Sequence, residues 1–257
     1  MTESAFDYRF EHILVEYPAR DIVRFTLNRP DRMNATNDIL HTELTRLPAL
    51  LDADTGARVG IITGAGRAFC VGGDYSDIAS AGNDYANKVR MMRETVQILT
   101  AMTDMRKPLI SAINGAAAGI GLAIGLLADI SVANEDANFS DGHTRIGLVA
   151  GDHAVLIWPL LCSMAKAKRY LLTADKLSGR EAERIGLVSE AVAPEQVMAR
   201  AMALAETLAS RSPLAMELTK RSLNHWIRAA LPAFESSLGY ELVTAFDPEQ
   251  ADYLPKT

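Results

Sequence analysis

Asn114-Gly-Ala-Ala-Ala-Gly-Ile-Gly-Leu-Ala123, the centre of a stretch running from Lys107 to His153, decides how the rest of the chain is read. Just before it, Leu109-Ile-Ser-Ala-Ile113 is an apolar run of strand length that follows a proline and offers no helical stripe, so it predicts a short buried strand. The chain is expected to turn at Asn114-Gly115. Ala116 to Ala128 is then small and apolar on every side, which predicts a helix packed against other backbone all round, its amino end buried. The first turn of such a helix carries N–H groups without an intrahelical partner, and its dipole favours negative charge. A carbonyl oxygen becoming an oxyanion would be stabilised there. The plainer reading is that Gly119 and Gly121 only permit close packing. A phosphate-gripping loop is excluded, because no Gly-Lys-Ser/Thr follows and the spacing is not Gly-x-Gly-x-x-Gly.

Length and composition bound the answer. The 257 residues suffice for one large domain with a substantial core. With 49% of residues apolar and 23% charged, the chain is globular in composition rather than disordered. A net charge of −6 argues against a nucleic-acid partner, which asks for a basic patch. No uninterrupted apolar run is long enough to span a membrane, and the first residues lack a signal-peptide pattern, so a cytoplasmic protein with no membrane partner is expected. Cys70 and Cys162 are too few and too far apart for a disulfide framework, and five scattered histidines give no metal spacing, so no metal is expected.

From the amino end, Ile13–Tyr17 and Ile22–Leu27 predict a hairpin. Asn28 to Ala35 reads as a loop ended by Thr36, the expected cap of a helix from Asn37 to Leu51. Arg58–Thr63 predicts a buried strand running into a second glycine-rich loop, Gly64 to Asp74. Asp84 to Asp104 carries Val89, Met92, Val96, Leu99 and Met102 at helical spacing, a stripe that favours core packing over an adaptable methionine lid. After the central stretch, helices are expected over Lys166–Leu172 and Gly179–Ile185, a strand over Leu187–Val192, and helices over Pro194–Ser210, Pro213–Ala230 and Ala233–Phe246.

Six motifs in order carry a resemblance: Asn28-Arg-Pro with Met33-Asn-Ala35, Arg67-Ala-Phe-Cys-Val-Gly-Gly-Asp74, Asn114-Gly-Ala-Ala-Ala-Gly-Ile-Gly121, Ala128-Asp-Ile130, Ile146-Gly147 and Gly186-Leu-Val188. From about residue 10 to about residue 245 the chain resembles the enoyl-CoA hydratase/isomerase, or crotonase, superfamily, and six ordered matches are far more specific than any one. Periodicity by itself supports only a mixed α/β chain. The resemblance implies an α/β crotonase-like spiral of repeated β-β-α units with a helical C-terminal trimerisation region. It implies a core over residues 1–192 and a helical segment over 193–257 that covers the site and the oligomer interface, giving a homotrimer or dimer of trimers. By motif position the oxyanion-hole donors would be the backbone amides of Gly73 and Ile120. Arg32, Met33, Arg67 and Val71 match the positions that embrace coenzyme A, which enters as part of an acyl-CoA thioester substrate and not as a separate cofactor. Where Ile120 stands, most family members have glycine, so a branched side chain must point away from the hole.

The catalytic pair departs from the pattern. The two glutamates of a typical hydratase would fall at Ala123 and His143, and neither is a glutamate. Instead Gly151-Asp-His-Ala-Val-Leu-Ile-Trp-Pro159 places Asp152 near the acyl pocket, similar to the branch of ring-cleaving β-diketone hydrolases, in which an aspartate acts with histidine. Asp152 and His143 are therefore the candidate catalytic residues. Three readings stay open: Asp152 hydrogen-bonded to His143 as its orienting carboxylate, Asp152 itself as base or nucleophile, or Asp152 as the cap of a helix starting near Ala154. Asp141 and His153 are lesser candidates, with His153 expected to face away, and Glu241 and Tyr240 reach toward the pocket or are merely packed. Hydration or isomerisation of an acyl-CoA, hydrolytic C–C cleavage of a β-keto acyl-CoA, cleavage of a CoA-free diketone, and CoA binding without turnover are the functions left by the sequence.

Overall fold

A computed structural model of the chain describes residues 6–74 and 85–253. Asp84, the expected first residue of its helix, and the tail beyond Tyr253 lie outside the described residues.

The hairpin is β1 (Ile13–Ala19) and β2 (Asp21–Leu27), paired antiparallel. Helix α1 (Asp38–Ala53) follows, but its cap is Asn37 and not Thr36: the Asn37 side chain accepts from the Leu40 amide at 3.0 Å. Thr36 is taken up otherwise, bridging Gly73 in a neighbouring segment. Next come β3 (Ala57–Gly64), β4 (Ala68–Cys70) and α2 (Tyr85–Asp104), then β5 (Leu109–Ile113), β6 (Ala116–Ala118) and α3 (Ile120–Leu127), then β7 (Ile130–Asn134) and β8 (Asn138–Ser140). Helices α4 (His153–Cys162) and α5 (Met164–Thr173), strand β9 (Leu177–Ser178), helix α6 (Gly179–Arg184) and strand β10 (Glu190–Val192) complete the sheets. The chain ends in α7 (Val197–Ala209), α8 (Pro213–Leu223) and α9 (His225–Ala245).

Each repeat gives its first strand to one sheet and its second to another, then returns by a helix. The large sheet has the order β1-β2-β3-β5-β7-β10 and the small one β4-β6-β8-β9. Pairs β3/β4, β5/β6 and β7/β8 thus advance by one position in both sheets at every turn, which generates the spiral. Within it β2, β3, β5, β7 and β10 run parallel, as do β4, β6 and β8.

Alternation along the buried strands divides the apolar residues between two cores. Phe25, Ile62, Leu109 and Ile113 face the main core with Phe69, Phe139 and Trp158. Ile22, Val59, Ile61, Ile110, Ala112 and Val132 face the other way and are sealed by Val197, Ala201 and Ala205 of α7. The methionine-rich α2 buries Leu99 and Met102 and packs Met92 and Val96 against the main core, in keeping with a structural stripe.

Three boundaries differ from the sequence reading. The expected helix over 116–128 begins only at Ile120, because Ala116–Ala118 is a strand held between β4 and β8; small side chains suit either state, and tertiary pairing decides. The expected strand over 187–192 shortens to β10, Leu187 and Val188 being buried in the preceding turn. The C-terminal helices part at Asn224, not near Pro232, which lies inside α9.

Candidate active site

Three adjacent parallel strands of the small sheet deliver the site. Cys70 of β4 pairs Ala117 of β6, and Ala118 of β6 pairs Ser140 of β8. Running in one direction, they release Gly72-Gly73, Gly119-Ile120 and Asp141-Gly-His143 at the same carboxyl edge, where parallel α/β sheets build their sites.

At that edge two backbones come close. A Cβ placed on Gly119 would lie 3.4 Å from the Gly72 Cα, and one on Gly72 would lie 3.3 Å from the Ala118 carbonyl oxygen. Gly119, at φ +50°, turns the chain from β6 into α3, a conformation that suits glycine. Ile120 is then the first helical residue, its N–H unclaimed by the helix, and its half-buried side chain packs against the main core. Gly73 is fixed from the other side: Thr36 donates its N–H to the Gly72 carbonyl at 2.8 Å and Asp74 donates its N–H to the Thr36 carbonyl at 2.9 Å. That parallel bridge leaves the Gly73 amide directed away from Thr36. Among the described residues, neither the Gly73 nor the Ile120 amide donates to a turn, loop or cap acceptor.

The loops bearing Arg32, Met33 and Arg67 lie side by side. Asn34, fully buried at φ +56°, donates from its side-chain amide to the Ala65 and Ala68 carbonyls, 2.9 Å each, and accepts from the Arg29 amide. Asparagine tolerates this backbone and supplies both donor and acceptor. Arg29 reaches across to Asp74 at 3.2 Å. Arg32, Met33 and Arg67 are exposed and Val71 half-buried.

His143 and Asp152 meet in a cluster, but not by the expected contact. His143 Nδ1 is 2.9 Å from Asp141 Oδ1, whereas its Nε2 is 3.8 Å from Asp152 Oδ2 and 3.9 Å from Glu241 Oε1. The carboxylate within hydrogen-bond distance of the ring is therefore Asp141, two residues away across Gly142, and Asp152 faces the ring without a direct hydrogen bond. Asp152 caps α4 as well, accepting from the Ala154 amide at 3.4 Å through Oδ1. Cap and site are thus two ends of one carboxylate. His153 does not face away: it is buried, with Nδ1 2.7 Å from Asp152 Oδ1.

Glu241 arrives from α9, while its neighbour Tyr240 is exposed. Helix α9 can lie this close because Gly151 has no side chain: a Cβ there would sit 2.1 Å from the Ser237 carbonyl oxygen. The Val149 amide donating to Thr244 at 3.1 Å holds the same approach.

Charge in this pocket is balanced internally. Burial opposes ionisation of His143, but Asp152 and then Asp141 outweigh it and hold the imidazolium well above the usual histidine range. His153 is raised in the same way, chiefly by Asp152 against burial. Burial also works against Asp152, yet His153 and His143 keep it ionised far below the ordinary carboxylate value. Glu241 is pushed up to about 8 by burial and by the Asp152 charge, so it carries a proton at neutral pH. The cluster thus presents a carboxylate at Asp152 as proton acceptor and two donors, His143 and Glu241. Two sets, Asp141/Asp152/His153 and His143/Asp152/Glu241, each bring three possible ligand atoms within 4.8 Å of one another.

The sequence singles out His143 and Asp152, with Asp141, His153 and Glu241 as lesser candidates, and the structure brings all five together. Asp141 was open to detection as the Asp-x-His spacing. Nothing local marks Glu241, whose place depends on how α9 packs.

The enoyl-CoA hydratase/isomerase family model matches residues 19–243. A probable enoyl-CoA hydratase of Mycobacterium tuberculosis is 35% identical over 226 residues, covering 85% of this chain and 79% of that one. (E)-benzylidenesuccinyl-CoA hydratase of Thauera aromatica is 36% identical over 198 residues, 77% of this chain and 76% of that one. The crystal structure of an enoyl-CoA hydratase/isomerase from Mycobacterium paratuberculosis superposes with a TM-score of 0.90 at 35% identity, covering 96% of this chain and 98% of that chain.

Proposed function

Because the chain belongs to the enoyl-CoA hydratase/isomerase family, we propose that it acts on an acyl-CoA thioester through an enolate whose oxygen is held by the Gly73 and Ile120 amides. The observation that carries this reading is the delivery of those amides and of His143, facing Asp152, by three adjacent parallel strands to one edge. Backbone donors fixed before the reaction stabilise developing charge without reorganising.

The chemistry follows from the proton inventory. In hydration of a 2-enoyl thioester, Asp152 takes a proton from water as its oxygen bonds to Cβ. The electron pair of the double bond moves onto the thioester oxygen, and the enolate then collapses as His143 or Glu241 returns a proton to Cα. In isomerisation the same carboxylate removes a proton from carbon and a neighbouring acid returns one elsewhere. Neither needs glutamates at positions 123 and 143, because Asp152 and Glu241 supply acceptor and donor from α4 and α9. Hydrolytic C–C cleavage of a β-keto acyl-CoA is the second reading. It is favoured by the histidine–aspartate pairing, since attack of water on the keto carbon would expel the same stabilised enolate.

Arg32, Met33, Arg67 and Val71 are assigned to coenzyme A on the adjacency of their two loops, where basic side chains suit phosphate. Assembly into a homotrimer or dimer of trimers is part of the same reading, supported by exposed Leu214, Leu218 and Leu223 of α8 and Trp226 of α9. Light scattering in solution tests it.

The activity test is incubation of the wild type and Asp152→Asn with crotonyl-CoA and with a cyclic β-keto acyl-CoA. Conversion of one thioester, falling by about 10²–10⁴-fold in the variant, is expected. Tight CoA binding without conversion of a broad thioester panel would sink the enzymatic reading in favour of a scaffold. Cleavage of a free diketone, indifferent to added CoA, would instead point to a CoA-independent hydrolase.

A further inference from the structure

Asp141 has no role in the proton steps above, yet its placement is unusually constrained. It follows β8 directly, its side chain is completely buried, and Oδ1 accepts from both the backbone N–H of His143 at 3.3 Å and the ring Nδ1 at 2.9 Å. Its second oxygen has no partner among the described residues. A buried carboxylate with half its acceptor capacity unused is costly unless a cation compensates it. The cation at hand is the His143 ring.

We propose that Asp141 is a positioning residue: its carboxylate holds the Nδ1–H of His143, so that the imidazole presents Nε2 alone to the space between Asp152 and Glu241. A ring free to rotate would exchange its two nitrogens, and only one arrangement sets a donor opposite both the acceptor and the second acid. The titratable groups facing this ring are Asp141 beyond β8, Asp152 at the start of α4 and Glu241 on α9, with His153 behind Asp152. Asp141 is the one within hydrogen-bond distance. The inference rests on the reading of His143 as a proton donor only for its kinetic consequence.

The competing account is that Asp141 merely closes the turn at Gly142-His143. Asp141→Asn separates the two, because asparagine keeps the size and the turn-closing acceptor but removes the charge. The readout is the ring nitrogens of His143 in the ¹⁵N-labelled full-length protein, assigned by their loss in His143→Gln and followed across a pH titration. The wild type is expected to keep Nδ1 protonated after the imidazolium loses its proton from Nε2. In Asp141→Asn the midpoint of His143 should fall, while Asp152 and Glu241 still hold part of the shift. Identical titration and identical tautomer in the two proteins would overturn the proposal. So would a neutral wild-type ring carrying its proton on Nε2, a result that needs no variant to fold.

Kinetics add a second arm. Asp141→Asn is expected to lower kcat on the order of 10²-fold with little change in KM, and to shift the limb of the pH profile that His143 controls. The exposed Asp136→Asn serves as control, with unchanged kcat. If the wild type turns over no thioester, the functional reading fails while the ring titration still decides the role of Asp141.

Discussion

Glu241 illustrates how much a single side chain owes to its surroundings. Burial and the Asp152 charge push its carboxyl from 4.5 up to about 8, so the folded protein keeps a proton that the unfolded chain releases. Its contribution to stability is therefore full below about 4.5 and is lost as pH rises through about 8. Glu241→Gln should flatten that decline, read as the difference in Tm between the two proteins across the window; parallel curves would place the carboxyl outside the cluster. His143, also raised, acts in the same direction from 6.5 upward, so some slope remains in the variant. Asp152 acts oppositely, lending stability that is lost on acidification below its ordinary value of 3.8. At the loops, Arg32→Ala and Arg67→Ala should raise KM for an acyl-CoA several-fold with kcat nearly unchanged, since such contacts bind ground and transition states alike. A kcat loss with constant KM would assign these arginines elsewhere.

Helix α3 shows what an element requires of its residues. Every residue from Gly121 to Leu127 is buried, and a Cβ on Gly121 would lie 2.1 Å from the Cys70 carbonyl oxygen and 2.8 Å from the Cys70 Cβ. The neighbour is strand backbone, which cannot swing aside. Gly121→Ala is expected to destabilise by about 1–3 kcal/mol, measured by denaturant unfolding, and to lower kcat as well by shifting the Ile120 amide. Stability loss with full activity would separate the packing role from the oxyanion role. At α1, Asn37→Ala should cost about 1 kcal/mol through the lost cap, whereas Thr36→Ala should act on the Gly72–Gly73 segment instead. The small-residue run that foretold close packing was read correctly as a buried element. Its division into β6, Gly119 and α3 was not legible, because alanine between two strands and alanine in a buried helix look the same in sequence.

At the scale of the molecule, the C-terminal helices belong to the same body as the sheets. Lys220 of α8 is buried and donates to the Lys107 carbonyl at 2.9 Å and to Asp129 at 2.7 Å, at the ends of β5 and β7. Burial raises the Asp129 carboxyl in spite of that partner. Lys220→Met should therefore destabilise by about 3 kcal/mol, with much of the loss recovered on adding Asp129→Asn, since the cost lies in the charge left unpaired. Additive losses would show that the two side chains act independently. Helix α7 seals the outer face of the large sheet and α9 brings Glu241 beside Asp152, so both the second core and the site draw on the last third of the chain. The sequence by itself determined the opening hairpin, the buried strands β3 and β5, most of the helices, the glycine-rich loops, and the presence of His143 and Asp152 where a hydratase pattern departs, because these are written in local pattern and motif. Only the tertiary structure decided that Asp141 holds the His143 ring, that His153 turns inward, and that Glu241 completes the cluster. Such contacts depend on which backbones approach closely enough, as Gly151 allows against α9, and that distance is a property of the packed whole and not of any segment.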